Sequence, residues 1–279
     1  MSFQTMPELL EEEKAMPLSR FYYQYPMHDL YPLEQQILRK GPMDTKDAIP
    51  VEHFTDLYKP VGEYDETEMG YCMFEDGSGY VATYTQIPPT IEMKKVYWYL
   101  KWVNIHPKNS VFGHGNLRYK IWNQADHWDH NFMNWTDGSD GICTMESLDL
   151  GEGMRKVRMY RHNYDLRKFG LTEERIQQLT DSGYKVKTTA GWETFDEPGA
   201  HLCLAQIRPC PFGGYERRSR EWIGWRPTED GKLIREPRTE CTEEYLRMVV
   251  VHTCTEWEHL LTFVNDLYEE YASQPIDAD

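Results

Sequence analysis

The order of predicted elements places the chain in the α+β class, as a curved antiparallel sheet gripping a long C-terminal helix. Three observations carry this. Strand-like runs do not alternate regularly with helices; they follow one another, and helices close the chain. The runs are short and end in Gly, Asn or Asp turns. The stretch from Leu246 to Tyr271 has apolar residues near helical spacing, at Val249, Val250, Leu260, Phe263, Val264 and Leu267, with no Pro or Gly inside it.

In chain order, residues 1 to about 65 read as an N-terminal arm. Proline recurs there, as in Met16-Pro17, Tyr25-Pro26 and Tyr31-Pro32, so only short helices fit, over Glu8 to Ala15 and Leu33 to Arg39. Phe21, Tyr22, Tyr23 and Leu30 give it apolar content, so it is expected to pack on the core or on a second subunit of a homodimer, and not to be a disordered tail. Residues 66–279 are expected to form a single catalytic domain. Tyr71 to Phe74 and Tyr80 to Tyr84 flank Asp76-Gly77-Ser78-Gly79, a hairpin signal. Pro88-Pro89-Thr90 is predicted to open a helix that runs to about Ile105, with Thr90 as its cap. Arg118 to Trp122 reads as a short strand and Asn123 to Asp126 as a turn, with His127 and His130 just beyond it, where a solvated polar loop is the plain alternative to a site. Strands are expected over Gly141 to Leu150 and Met154 to Tyr160, a helix capped by Thr172 over Leu171 to Asp181, and strands over His201 to Ile207 and Arg220 to Trp225.

Composition bounds the function. The chain has 279 residues, enough to bury a sizeable core, and 46 acidic against 30 basic residues give a net charge of -16. That argues against nucleic acid or an anionic membrane as partner. Six cysteines form no CxxC pair, and the acidic N-terminus lacks a basic secretory region, so the expectation is a cytoplasmic protein with reduced thiols. No run of eighteen apolar residues suits a membrane span. Nineteen Tyr, ten Phe and nine Trp suit a pocket for a flat polar ligand, or simply fill the core. Nucleotide-binding glycine motifs, the GxSxG elbow and HExxH are all absent.

The remaining chemistry lies in histidines and carboxylates. His252 and Glu256 are four apart in the last helix, so both leave one face. On spacing alone an ordinary solvated pair is the commoner outcome; a metal needs further ligands. His127 supplies one, with His114, His130, Asp126 and Asp129 close by, and Asp129 is placed to orient an imidazole from behind. Either Glu146 or Glu152 supplies another. Two imidazoles and two carboxylates suit zinc, with iron or manganese as alternatives.

The run Tyr97-Trp98-Tyr99, the segment Arg118-Tyr119-Lys120-Ile121-Trp122 followed by Asp126-His127, and His252-x-x-x-Glu256 with Leu260, Phe263 and Leu267-Tyr268 resemble the diacetylphloroglucinol hydrolase and phloretin hydrolase family. The resemblance spans roughly residues 70 to 272. It implies a helix-grip fold similar to the Bet v 1 type. It also implies a Zn2+-dependent hydrolase that cleaves the carbon–carbon bond between an acyl group and a phloroglucinol ring, with zinc-bound hydroxide as nucleophile. The metal set so implied is His127, Glu152, His252 and Glu256, with Glu146 as the alternative carboxylate. Tyr119, His201 and Tyr215 fall where the family places polar groups around the ring hydroxyls. His130 stands where the family has Asn.

That chemistry is sound on its own terms. An aryl ketone does not release a carbanion easily, but a trihydroxy ring can tautomerise to its keto form and leave as an enolate. Donors at the ring oxygens would stabilise the charge that develops. Two other readings remain at this stage. A metal-free binding protein for phenolic or apolar ligands has no use for four convergent metal ligands, which separates it from the enzyme. Zinc-dependent hydrolysis of another ketone or of an ester shares the whole site and differs only in substrate.

Overall fold

The structure is a computed structural model that describes residues 9–105, 107, 112–134, 140–149, 154–195, 199–236 and 241–278. Its helices are α1 (Glu11–Ala15), α2 (Ser19–Gln24), α3 (Pro32–Arg39), α4 (Met93–Val103), α5 (Leu117–Lys120), α6 (Glu173–Asp181) and α7 (Glu243–Tyr271). Its strands are β1 (Gly70–Met73), β2 (Gly79–Ile87), β3 (His127–Asn134), β4 (Asp140–Asp149), β5 (Met154–Asp165), β6 (Thr189–Phe195), β7 (Ala200–Pro209), β8 (Tyr215–Ile223), β9 (Trp225–Pro227) and β10 (Leu233–Arg235). An eight-stranded sheet runs in the order β1-β2-β8-β7-β6-β5-β4-β3, and β9 pairs with β10. With the 29-residue α7, this is the α+β arrangement the sequence predicts.

Contacts divide the chain into two compact units. The first comprises Met1–Leu30, Thr90–Tyr160 and Thr255–Asp279; the second comprises Tyr31–Pro89 and Arg161–Cys254. In the first, the C-terminal part of α7 presents Leu260, Phe263, Val264 and Leu267, all buried, to an aromatic layer on α4. Tyr99 meets Phe263 edge-on at 5.7 Å, Trp98 meets Tyr268 at 5.3 Å, and Phe21 of α2 meets Tyr271 at 6.0 Å. Each such apolar side chain contributes about 1.5–3 kcal/mol by burial, which outweighs helix propensity in holding α7 here.

In the second unit Trp222 is fully buried, its indole N–H donates to the Ile49 carbonyl at 2.7 Å, and its ring meets Phe54 and Tyr80 edge-on. The same sheet carries buried charge. Arg218 and Arg220, both fully buried, share the carboxylates of Asp65 and Glu68 at 2.7–3.0 Å. Where α7 begins, the β1–β2 hairpin comes very close: a Cβ on Gly79 would lie 2.6 Å from Leu246 and 2.9 Å from the Cys241 sulfur. Only glycine permits that approach.

Two local expectations change. Arg118 to Trp122 is not a strand. Its first residues fold as α5, because the Asn116 side chain caps the turn by accepting the Arg118 N–H at 3.0 Å. Both cations of the turn then find buried partners. Arg118 donates to the carbonyls of Trp102, Ile105 and Ile276, and Lys120 pairs with Glu13 at 2.6 Å. At His127 to His130 the solvated loop, the plain alternative there, is not what forms: these residues start β3 and are buried except Trp128. The helix after Pro88-Pro89-Thr90 begins at Met93, with Glu92 at the cap position, since the two prolines extend the chain beyond β2. The Thr172 cap of α6 holds, accepting the Arg175 N–H at 3.2 Å.

Candidate functional site

The site is built from the pairing of β3 with β4. Their register sets His127 directly across from Glu146, with a shift of register between His127 and Asp129. Glu146, the alternative in the sequence reading, is therefore the carboxylate beside His127; Glu152 lies outside the described residues. The Tyr119 ring stacks on the His127 imidazole, with centroids 3.7 Å apart and planes 8° apart. Its hydroxyl donates to Glu146 Oε1. Tyr119 thus orients two of the candidate ligands at once, a use of the residue that the sequence reading assigned to ring hydroxyls.

Backbone geometry sets the His127 tautomer. Nδ1 lies 3.2 Å from the Tyr119 carbonyl, which can only accept, so Nδ1 carries the hydrogen. Nε2 then holds the lone pair, and it faces Glu256 Oε2 at 3.4 Å. Two acceptors so placed call for a positive charge between them, a proton or a metal ion. Glu256 is held from behind, where the Trp122 indole donates to its backbone carbonyl at 3.0 Å. His252 lies one turn earlier on α7. His127, Glu146 and His252 each offer a ligand atom, and these atoms all lie within 4.8 Å of one another. That spread and the mixture of imidazole and carboxylate fit a zinc site. Asp129 accepts backbone N–H groups of Gly113, Gly115 and His130, so it organises the turn before α5. His130 is buried with its ring against Tyr119 at 4.6 Å.

The chain carries a match to one family model, the DAPG hydrolase PhiG domain, over residues 49–269. It belongs to this family. The chain is also 24% identical to the phloretin hydrolase of Eubacterium ramulus over 283 residues, covering 93% of this chain and 92% of that one. Membership makes it a hydrolase that cleaves carbon–carbon bonds. The matched span contains the RYKIW segment, His127 and the HxxxE pair. In that segment Arg118 and Lys120 serve the fold, while Tyr119 and Trp122 both meet the His127 ring.

His201 and Tyr215, paired in the sequence reading, are not brought together. On β8 the partner of His201 is Ile223, whereas Tyr215 pairs with Pro209 and Ile87 at the opposite end. Eight residues of strand, about 26 Å at 3.3 Å each, separate the two levels, and Tyr215 is 36% exposed. The separation arises because β7 and β8 form a hairpin: residues close in sequence sit together at its turn, and His201 lies at its open end. There His201 Nε2 meets the Tyr245 hydroxyl at 2.9 Å, and Nδ1 lies 3.8 Å from Glu221. Burial pushes the His201 imidazole down to about 3, so it is neutral at ordinary pH. Burial and then the neighbouring Glu193 carboxylate push Glu221 up to about 7, against the pull of Arg161, Arg217 and His252. Sequence reasoning missed Tyr245 and Glu221. The one signal for Tyr245 was its position seven residues before His252, on the same helix face.

Proposed function

We propose that the chain hydrolyses the bond between an acyl group and a phloroglucinol-type ring, with zinc held by His127, Glu146, His252 and Glu256. The observation that carries the metal reading is the convergence of imidazole and carboxylate atoms within 4.8 Å, beside a His127 lone pair aimed at Glu256. Bound zinc supplies Lewis acidity, which polarises a carbonyl and makes water acidic enough to react near neutral pH. The protein's own residues set the rest. Tyr119 fixes the plane of His127 and one oxygen of Glu146, so the ligands are preorganised. Trp122, beside Glu256, lends an apolar wall that limits water. The ring departs as an enolate and its carbon must receive a proton, a role for a neutral donor kept out of bulk water. The names of the family and of the relative, a DAPG hydrolase and a phloretin hydrolase, support acylphloroglucinols as the substrate class. The eight-stranded sheet and long α7 support reading the fold as a helix-grip of the Bet v 1 kind.

The test is metal content of purified wild type and of His252→Ala, with hydrolysis of phloretin and diacetylphloroglucinol followed in the same samples. One zinc per chain, lost together with activity in the variant, is the expected result. Zinc present with neither ketone cleaved would move the reaction to another bond. A well-folded wild type that takes up no zinc would sink the metal reading.

A further inference from the structure

α5 is a single turn of four residues, too short to hold its own shape. What grips its side chains therefore decides where it lies, and within the first unit both ends of the chain take part. Arg118 is buried. Its guanidinium donates to the carbonyls of Trp102 at 3.1 Å and Ile105 at 3.2 Å, at the end of α4. It also donates to the carbonyls of Ile276, at 2.6 Å, and Ala278, in the C-terminal segment. The Trp102 ring lies against it, 4.3 Å from ring centre to guanidinium carbon. Lys120, fully buried, pairs with Glu13 of α1 at 2.6 Å, and the same Glu13 oxygen accepts the Leu10 N–H at 2.8 Å. One turn of chain later, the buried Gln124 amide donates to the Tyr22 and Tyr25 carbonyls at 2.6 and 2.9 Å and accepts the Met27 N–H at 3.2 Å. Between Arg118 and Lys120 stands Tyr119. Its ring stacks on His127, its hydroxyl donates to Glu146, and its carbonyl faces His127 Nδ1 at 3.2 Å.

We propose that Arg118 and Lys120 are positioning residues of the metal site, through which the C-terminal segment and the N-terminal arm hold Tyr119 against His127 and Glu146. The inference rests on the zinc reading of the proposed function and names what sets its ligand geometry. Metal–ligand distances hold to about 0.2 Å, so a small displacement of α5 is felt at the metal. Such a displacement moves the ring, hydroxyl and carbonyl of Tyr119 together, because all belong to one residue. The plane of His127, its tautomer and one oxygen of Glu146 are then disturbed at once. The residue types suit the task. The planar fork of an arginine serves carbonyls of two separate segments in fixed directions, which the compact ammonium of a lysine does not. A buried lysine needs its carboxylate, so Glu13 fixes where Lys120 lies. A scaffold role alone would explain one buried cation here. It does not call for cations on both sides of Tyr119, one tied to a glutamate 107 residues earlier and the other to a carbonyl 158 residues later.

The experiment measures zinc affinity of the full-length apoprotein by competition with a chromogenic chelator. It compares wild type with Arg118→Lys, Glu13→Gln, Tyr119→Phe and the double variants that join each of the first two to Tyr119→Phe. The thermal midpoint of every apoprotein is measured alongside. Arg118→Lys keeps the charge and loses the fork, and should weaken zinc binding about 10-fold, the low end of the range for groups that orient metal ligands. Glu13→Gln, on α1, should weaken it by about threefold or more, and this variant carries the test if Arg118→Lys does not fold. Both substitutions act through Tyr119, so each double variant should bind zinc within about threefold of Tyr119→Phe alone. Zinc affinity within about twofold of wild type in Arg118→Lys and Glu13→Gln, whatever their midpoints, overturns the positioning role and leaves the zinc reading standing. A loss that adds in full to that of Tyr119→Phe, or that merely tracks lost fold, overturns it too. A wild type that binds no zinc overturns the zinc reading and this inference with it.

Discussion

Replacing Tyr119 by Phe separates two roles that one residue could serve. The ring stack on His127 is retained, because Phe keeps the same plane and position. Only the hydrogen bond to Glu146 is lost. A hydrogen bond to a charged group contributes about 1.5–3 kcal/mol when buried. Tyr119 and Glu146 are 3% and 5% exposed, so water cannot readily replace the phenol. If the bond serves to orient Glu146 as a ligand, its loss should appear as weaker zinc binding. Taking 1.4 kcal/mol per tenfold, 1.5–3 kcal/mol corresponds to about 10- to 100-fold in zinc affinity, the range seen when groups that orient metal ligands are removed. The assay is competition between the apoprotein and a chromogenic chelator at fixed pH, which needs no substrate. The ring-binding role instead predicts unchanged zinc affinity with a raised KM for the phenolic ketone. Zinc affinity within twofold of wild type would refute the orienting role.

Two further predictions concern the scaffold. Burial alone would raise Glu68, but hydrogen bonds and charge from Arg218 and Arg220 overcome it and hold the carboxyl down to about 2. Against an ordinary value of 4.5, that is about 3 kcal/mol of stability, present above pH 4.5 and lost as pH falls toward 2; Glu68→Gln should therefore cost about 3 kcal/mol in urea unfolding at pH 7 and much less near pH 2.5, and an equal cost at both would contradict the ion-pair account. Gly79→Ala should cost about 1–3 kcal/mol in the same assay, because the new Cβ meets Leu246 at the start of α7; an effect within 0.5 kcal/mol would show that the helix start yields freely.

Much of the architecture was legible because it depends on local pattern. Apolar spacing without Pro or Gly defines α7, and the Asp76-Gly77-Ser78-Gly79 turn defines the first hairpin. The HxxxE spacing put His252 and Glu256 on one helical face by geometry alone. The RYKIW segment was legible as a motif but not as structure. Its helical turn depends on the Asn116 cap, and on burial sites for Arg118 and Lys120 supplied by Trp102, Ile105, Ile276 and Glu13, all distant in sequence except the cap.

Residue type and periodicity alone establish an α+β chain, a closing helix bearing a His/Glu pair, and a second histidine after the RYKIW segment. Tertiary structure decided which carboxylate joins them, because strand register brings Glu146 opposite His127, and register follows from pairing between strands that no local spacing encodes. It likewise sent Tyr215 to one end of a hairpin and His201 to the other, and brought Tyr245 from 44 residues away to the His201 ring. Hydrogen-bond partners across such distances are chosen by the folded backbone, and so is the burial that makes His201 a neutral imidazole and lifts Glu221 toward neutrality.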